Sequence, residues 1–194
     1  MNGKGGAVIV AGGMGTRLGY DKKQIMLKGK TLIEHQIEIL SPLFSEVIVS
    51  SNNPFEYKDI ITVRDTLGAG PLAGIYSALK ICKSDYLFAC ACDMPYIQSE
   101  YISFLNTYIN DKTFDVCAVR RSGGFIEPFN ALYHKRALPA LEQSLAAGIY
   151  KAQRAFTAMQ ILSLPEEEIE RFNTDGRNIF YNINYETDLE LIRE

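Results

Sequence analysis

The sequence predicts an α/β fold: a doubly wound, mostly parallel sheet with helices packed on both faces. Two observations lead to this prediction. Short apolar runs alternate along the chain with segments whose apolar residues recur at helical spacing. The apolar runs are also continuous rather than alternating with polar residues, which is typical of strands that are covered on both faces.

The first half of the chain, about residues 1–98, carries the clearest pattern. One helix is expected to begin at Thr31, which with Glu34 has the form of a capping box, and Pro42 follows its end. The apolar stripe of this helix includes one polar residue, Gln36. The predicted strands are 7–11, 46–51, 59–63 and 85–91, and the predicted helices are 31–40 and 72–81.

The second half, about residues 99–194, is less regular. The predicted helices are 99–108, 135–147 and 185–194, and the predicted strands are 115–119, a part of 127–133, 159–164 and 179–184. A chain of 194 residues is expected to form a single domain. The second half would then cover one end of the sheet as a lid or substrate lobe.

Composition narrows the class of protein. Apolar residues make up 47% and charged residues 22%, with a net charge of −3, so no general basic field exists to attract a nucleic acid. No apolar run approaches the roughly 20 residues of a membrane helix, and the first residues do not have the form of a signal peptide. We therefore expect a cytoplasmic protein with neither nucleic acid nor membrane as partner.

The four cysteines are expected to be reduced and buried rather than metal-bound. Cys90 and Cys92 lie in an apolar run, where cysteine behaves as a small hydrophobe. His35 and His134 are isolated, so a second pair of ligands at zinc spacing is missing from the sequence.

The segment AGGMGTRLGYDKK, residues 11–23, follows the first predicted strand and suggests a phosphate site. Open parallel sheets bind ligands at the carboxyl ends of their strands, and backbone N–H groups with Arg17 and Lys22 could hold phosphate oxygens. The segment lacks the Gly-Lys-Ser/Thr of a P-loop, and its third glycine comes one residue too late for GxGxxG. A glycine-rich turn with solvent-facing charges is the alternative.

Two further strand ends carry acids. Asp93 follows a buried strand, where Mg²⁺ would suit an oxygen ligand; the alternative is an Asp that caps the following turn. Asp65 precedes the turn Gly68-Ala69-Gly70-Pro71, which would let the backbone approach a planar ring closely. Its alternative is an ordinary turn before a helix.

Together these loops resemble a family. VIVAGGMGTRLGYDK is similar to the LAGGxxxRMGxxK signature of nucleotidyltransferases with a GT-A-like, Rossmann-like fold, a three-layer α/β/α arrangement typical of nucleotide-diphospho-sugar transferases. DKKQIMLKGKTLIEHQ, DTLGAGPLAGIYSAL, CDMPYI, FIEPFNALY and YNINYETDLE resemble, in order, segments of the molybdenum cofactor guanylyltransferases of the MobA type. The resemblance therefore covers nearly the whole chain.

The resemblance implies a reaction, transfer of GMP from GTP to molybdopterin with release of pyrophosphate, and Mg²⁺ as cofactor. The residues that would bind the nucleotide are Ala11, Gly12, Gly13, Lys22, Asn52, Asp65, Gly70 and Asp93. The catalytic residues would be Arg17 and Lys22, on the phosphates, and Asp93, which would hold the metal. Asn182 and Asn184 would bind the acceptor. Transient contact with other molybdenum-cofactor proteins is also expected.

The chain departs from the family pattern in three places. The family has Asn directly after its second strand, where this chain has Ser50 or Ser51, so Asn52 is assigned that role. Lys23-Gln24 resembles the cytidylyltransferases of isoprenoid synthesis, and Tyr185-Glu186 replaces a common Thr-Pro.

Other functions therefore stay open. One alternative is another nucleotidyltransferase, a CTP-using molybdopterin cytidylyltransferase or a sugar-phosphate nucleotidyltransferase, and another is a non-catalytic GTP-binding module that delivers the cofactor. A Rossmann oxidoreductase is disfavoured because the glycine spacing and the ribose-binding acid are absent. Arg120 and Arg121 are interpreted either as contacts for the pterin phosphate or as a solvated turn.

Overall fold

The computed structural model describes residues 5–11, 25–27, 29–109, 113–173, 176–185 and 187–189. The strands are β1 Gly6–Val10, β2 Met26–Leu27, β3 Lys30–Thr31, β4 Glu46–Ser50, β5 Ile61–Val63, β6 Tyr86–Ala91, β7 Val116–Arg120, β8 Ala131–His134 and β9 Ile161–Pro165. The helices are α1 Leu32–Leu40, α2 Pro71–Ile81, α3 Ser99–Asn106, α4 Leu138–Ala146, α5 Ala152–Ala155 and α6 Glu166–Ile169.

Seven strands form one sheet in the order β5-β4-β1-β6-β8-β7-β9, and β2 and β3 form a separate short hairpin. Strands β5, β4, β1 and β6 are mutually parallel, β8 runs antiparallel between β6 and β7, and β9 is parallel to β7. The predicted α/β class with a mostly parallel, doubly wound sheet is therefore confirmed. Strands from both halves of the chain enter the same sheet.

The core lies in two layers, one on each face of the sheet. Strand β1 is buried throughout and divides its side chains between them: Ala7 and Ile9 join the layer under α1 and α3, whereas Val8 and Val10 join the layer under α2 and α4. Burial on both faces explains why the sequence of this strand is continuously apolar.

Helix α2 approaches the sheet closely because Gly74 has no side chain. A Cβ at this position would lie 2.7 Å from Ser50 Oγ and 3.0 Å from Val10 Cγ1. The glycine thus brings the start of α2 to the same end of the sheet at which β1 and β4 finish.

The predicted elements of the first half and most of those of the second half are confirmed with small shifts of their ends. The helix expected at 135–147 begins as a 3₁₀ turn at 135–137 and continues as α4. The helix expected at 185–194 is observed at 187–189, and the residues after 189 lie outside the described part.

The strand predicted at 179–184 is wrong, since this segment has no regular secondary structure. Its backbone groups form hydrogen bonds with loops and side chains instead of with a neighbouring strand. Ile179 O accepts from Asn130 Nδ2 at 2.6 Å, and Phe180 N donates to Asn178 Oδ1 at 2.8 Å. Asparagine side chains bond locally to the backbone and so compete with strand pairing.

The cysteines are buried thiols, as predicted, and no disulfide joins them. Burial, with the Glu46 carboxylate beside it, raises the pKa of Cys82 to about 12. Burial also raises the pKa of Cys90. These thiols are therefore protonated and unreactive at neutral pH. In the described part of the chain, no helix is both long and apolar enough to cross a membrane.

Candidate active site

Four parallel strands end at one edge of the sheet, and a candidate site residue follows each of them. In the register of the sheet, Val10 lies opposite both Ser50 and Ala91. The pairing continues beyond the strands, since Ala11 N donates to Ser50 O at 2.8 Å. Cys92 N likewise donates to Val10 O at 3.0 Å. The candidates, in spatial order, are Asp65 after β5, Asn52 after β4, Ala11 after β1 and Asp93 after β6.

Asn52 and Asp65 form a hydrogen-bonded pair at this edge. Asn52 Nδ2 donates to Asp65 Oδ2, and Asp65 N donates to Asn52 Oδ1, both at 3.0 Å. Ser50 Oγ donates to the other carboxylate oxygen, Oδ1, at 3.2 Å. The serine at the family's asparagine position thus contacts the same carboxylate as Asn52, so both residues fix its orientation.

The turn before α2 depends on glycine conformation. Gly68 and Gly70 have φ angles of +73° and +83°, which L side chains adopt with strain. Thr66 N donates to Ser77 Oγ of α2 at 3.1 Å, which ties the turn to the helix. Gly70 is the exposed N-cap and Pro71 follows it at the first helical position. The start of α2 lies at this edge of the sheet because Gly74, one turn further on, packs against Ser50 and Val10.

Asp93 sits in a tight turn that is held from two sides. Met94 N donates to Ala91 O at 3.2 Å and closes the turn, and Ile183 N donates to Asp93 O at 2.9 Å. Gln36 Nε2, from α1, donates to Ala91 O at 2.9 Å and to Met94 O at 2.8 Å. The residue is half-buried and its Oδ1 is shielded from solvent.

The C-terminal segment brings Asn182 and Asn184 beside the Asp93 turn. Asn182 Nδ2 donates to Phe180 O and Asn184 Nδ2 donates to Asn182 O, each at 3.2 Å, which orients both amides. Ile183 between them is fully buried in a small apolar cluster of its own. The other buried members of this cluster are Ile25, Leu32 and Leu189.

Four predicted site residues, Gly12, Gly13, Arg17 and Lys22, lie outside the described residues. Of their described neighbours, Ala11 is placed at the sheet edge as stated above. Ile25 is buried, and its carbonyl accepts from Leu32 N at 2.9 Å.

Arg121 is engaged by carboxylates instead of facing an open pocket. Its Nε lies 2.8 Å from Glu166 Oε1, and its Nη1 lies 3.6 Å from Glu127 Oε1. The guanidinium also stacks over the ring of Phe180 at 5.1 Å. Burial raises the pKa of Glu127 although Arg121 acts in the opposite direction. Two acids around one arginine offset its charge, which disfavours a phosphate site at this residue.

Sequence reasoning did not identify two buried amides as part of the site. Asn130 holds the C-terminal segment by donating a hydrogen bond from Nδ2 to Ile179 O. The φ angle of Asn130 is 50°, which is uncommon outside glycine. Gln36 holds the Asp93 turn. The signal for Gln36 was present, because it is the polar residue on the apolar stripe of α1. Asn130 gave no such signal, since the sequence predicted only that a part of 127–133 forms a strand.

The sheet topology and the polar residues at its carboxyl edge define the class of open α/β proteins that bind a ligand at this edge. The MobA-like NTP transferase domain matches residues 7–163, and the chain belongs to this family of nucleotidyltransferases. A Syntrophotalea carbinolica protein named molybdenum cofactor guanylyltransferase is 36% identical over 189 residues, covering 96% of this chain and 89% of its own. A probable molybdenum cofactor guanylyltransferase of Peptoclostridium acidaminophilum is 34% identical, with 93% and 84% covered.

Solved structures share the fold. The molybdopterin-guanine dinucleotide biosynthesis protein A of Archaeoglobus fulgidus superposes with a TM-score of 0.83 at 25% identity, covering 97% of this chain and 96% of that one. The 2-C-methyl-D-erythritol 4-phosphate cytidylyltransferase of Thermus thermophilus gives a TM-score of 0.68 at 14% identity, with 96% of each chain covered. The second likeness concerns the fold alone.

Proposed function

We infer that the protein is a molybdenum cofactor guanylyltransferase, which transfers GMP from GTP to molybdopterin and releases pyrophosphate. Curated relatives of that name align with nearly the whole chain. The structural observation that carries the inference is the bond from Ile183 N to Asp93 O at 2.9 Å. It joins the proposed metal-binding and acceptor-binding segments, which are about 90 residues apart in the chain, at the edge where a nucleotide would bind.

The nucleoside would bind over the ends of β1, β4 and β5. The Asp65 carboxylate, oriented by Asn52 and Ser50, can accept hydrogen bonds from a base or a ribose. Gly70 exposes backbone at the start of α2, so a planar ring can approach it closely. Ala11, with Gly12 and Gly13 after it, would line the same nucleotide.

The triphosphate would lie between the glycine-rich segment and Asp93. Arg17 suits a two-pronged contact with phosphate oxygens, and Lys22 supplies a mobile positive charge. Both residues would offset the negative charge of the leaving pyrophosphate. The acceptor phosphate is itself an anion, so these cations would matter most when the two substrates approach each other.

The residues near Asp93 fit Mg²⁺. Among the described residues, no group of three or more His, Cys, Asp and Glu side chains could hold a metal ion. One half-buried carboxylate, with one oxygen shielded from water, suits Mg²⁺ that takes its other ligands from nucleotide phosphates and water. When bound, the ion would neutralise phosphate charge and polarise the reacting phosphoryl group. Asp93 would hold it in place.

The acceptor would approach from the C-terminal half. Asn182 and Asn184 have oriented amides next to the Asp93 turn, and neutral amides can contact a phosphate or a pterin without repelling either. We propose that residues 1–98 bind the nucleotide and residues 99–194 the acceptor, within a single domain. We place the reaction, with transient hand-over to other molybdenum-cofactor proteins, in the cytoplasm.

Mg²⁺-dependent product formation tests the proposal. The purified protein, GTP, molybdopterin and Mg²⁺ should release pyrophosphate together with the guanine dinucleotide. A non-catalytic delivery module would bind GTP but release no pyrophosphate. That result would overturn the proposed function.

A further inference from the structure

Gln36 is a buried amide on an otherwise apolar face of α1. Its side chain is 3% exposed, and the other buried residues of the helix are Leu32, Ile33, Ile37 and Leu40. Nε2 donates to two carbonyls, Ala91 O at 2.9 Å and Met94 O at 2.8 Å. The two N–H groups of one amide therefore meet both ends of a single turn.

The turn between those carbonyls contains Asp93. Ala91 O also accepts from Met94 N at 3.2 Å, and Asp93 O accepts from Ile183 N at 2.9 Å. Gln36 is thus the side chain that fixes this turn from the helix side. The backbone of Asp93 cannot shift toward or away from the sheet without lengthening at least one of these bonds.

The same helix also fixes the segment that follows the glycine-rich residues. Leu32 N donates to Ile25 O at 2.9 Å, and His35 Nε2 lies 2.6 Å from Leu27 O. His35 and Gln36 are neighbours in the chain, so adjacent side chains hold residues 25–27 and the Asp93 turn. Helix α1 therefore sets the distance between residues 25–27 and the Asp93 turn.

Glutamine carries a cost to folding stability at this position. Among the described residues, no group donates a hydrogen bond to Gln36 Oε1, which is buried. An unsatisfied buried carbonyl is destabilising, and an apolar side chain of the same length would avoid that cost. The benefit of the amide is its pair of bonds to the Asp93 turn.

We propose that Gln36 is a positioning residue for the reaction: it orients the Asp93 carboxylate for the metal-bound triphosphate. The proposal rests on the proposed function and extends it to a residue that touches neither substrate nor metal. Removing a residue that hydrogen-bonds to a metal ligand and orients it typically weakens metal affinity by about 10–100-fold.

The test compares Gln36→Met, which keeps the length of the side chain and removes both donors, with Leu40→Ala. Leu40 is fully buried on the same helix and its side chain has no hydrogen-bonding group, so its truncation lowers the melting temperature without removing a hydrogen bond from the Asp93 turn. The affinity for Mn²⁺ in the presence of GTP is measured by electron paramagnetic resonance, with the melting temperature and the Mg²⁺ dependence of turnover. Gln36→His, which retains one N–H donor, is the rescue variant.

Gln36→Met is expected to weaken Mn²⁺ binding by about tenfold and to raise the Mg²⁺ requirement of turnover in proportion. Gln36→His should recover part of that loss. If Gln36→Met does not fold, Gln36→His replaces it as the test variant and should bind Mn²⁺ more weakly than wild type. Leu40→Ala should leave Mn²⁺ affinity within twofold of wild type. The proposal is wrong, and Gln36 is a structural residue only, if Gln36→Met binds Mn²⁺ as wild type does. Where Gln36→Met does not fold, the same conclusion follows if Gln36→His binds Mn²⁺ as wild type does. It also follows if Leu40→Ala weakens Mn²⁺ binding as much as the Gln36 variant does.

The two proposals fail differently. A wild-type protein that binds Mn²⁺ with GTP but makes no dinucleotide contradicts the proposed function and leaves the role of Gln36 measurable. A wild-type protein that makes the dinucleotide, with a Gln36→Met variant that binds Mn²⁺ normally, contradicts only the role of Gln36. A wild-type protein that binds no Mn²⁺ with GTP contradicts both.

Discussion

Two candidate carboxylates at the sheet edge are held in different ways, and this difference separates their proposed roles. Asp65 accepts a hydrogen bond on each oxygen, from Ser50 and from Asn52, so its side chain has one orientation before any ligand arrives. Asp93 is positioned through its backbone turn. A fixed hydrogen-bonded acid suits recognition of a base or sugar, whereas an acid on a rigid turn suits a metal ion.

Removal of the Asp93 charge should abolish turnover. Asp93→Asn keeps the size of the side chain but lacks the negative charge that would hold Mg²⁺, so pyrophosphate release is expected to fall to background at all Mg²⁺ concentrations. GTP binding without metal and the melting temperature serve as controls for folding. Normal turnover would refute the metal assignment.

Loss of the Lys22 charge should slow the reaction without unfolding the protein. Lys22→Ala is expected to lower kcat/KM by on the order of 10²-fold, comparable to the loss of one preorganised electrostatic contact in other enzymes. Lys23→Ala removes the neighbouring charge and is the matched control, with a much smaller effect expected. Equal losses in the two variants would mean that general basic charge matters, not a contact made by Lys22.

The sequence predicted the positions of Asp65 and Asp93 in the fold, but not their contacts. Asp65 and Asp93 could be placed at strand ends because apolar runs stop before them. The bonds from Asn52 and Ser50 to Asp65 depend on the register of β4 against β5, and the bonds of Gln36 span 55 and 58 residues. Local sequence patterns carry no information on strand register or on hydrogen bonds between distant residues.

At the scale of elements, the segment 179–185, before the short helix at 187–189, has hydrogen bonds from side chains in place of regular secondary structure. Asp188 Oδ2 accepts from Asn184 N at 2.7 Å and from Tyr185 N at 2.9 Å. These bonds lower the pKa of Asp188. The apolar residues of 179–184 predicted a strand, but the asparagines of this segment and Asp188 satisfy its backbone locally.

The lowered pKa makes this turn sensitive to acid. Because the folded state holds the charged form of Asp188, the stabilisation is fully present above the ordinary aspartate pKa of about 4 and is lost as pH falls through the lower folded value. The stability difference between wild type and Asp188→Asn, from urea unfolding across pH, should therefore shrink on acidification below about pH 4. A difference that is constant with pH would contradict the assignment.

The contact between α2 and the sheet should depend on Gly74. Gly74→Ala places a Cβ 2.7 Å from Ser50 Oγ and 3.0 Å from Val10 Cγ1. Either α2 or the Ser50 and Val10 side chains must shift, and overpacking of this kind costs about 1–3 kcal/mol of unfolding free energy. Gly123→Ala is the control, since a Cβ there would meet no atom within 4 Å. Equal unfolding midpoints in urea for the two variants would contradict this packing.

At the scale of the whole molecule, one sheet joins the two halves of the chain. The half that follows residue 98 contributes β7, β8 and β9, and β8 pairs antiparallel with β6, the strand that ends before Asp93. The alternation of strands and helices predicted the parallel half of the sheet. The insertion of β8 between β6 and β7 was not predictable, because it pairs strands that are about 45 residues apart in the chain.

The identity of the transferred nucleotide tests the central claim most directly. The protein is incubated with molybdopterin, Mg²⁺ and each of GTP, CTP, ATP and UTP in turn, and pyrophosphate and the mass of the pterin product are measured. We predict pyrophosphate and a guanine dinucleotide with GTP, and little product with the other three. A cytosine dinucleotide formed preferentially from CTP, or no dinucleotide with any nucleotide, would contradict the account.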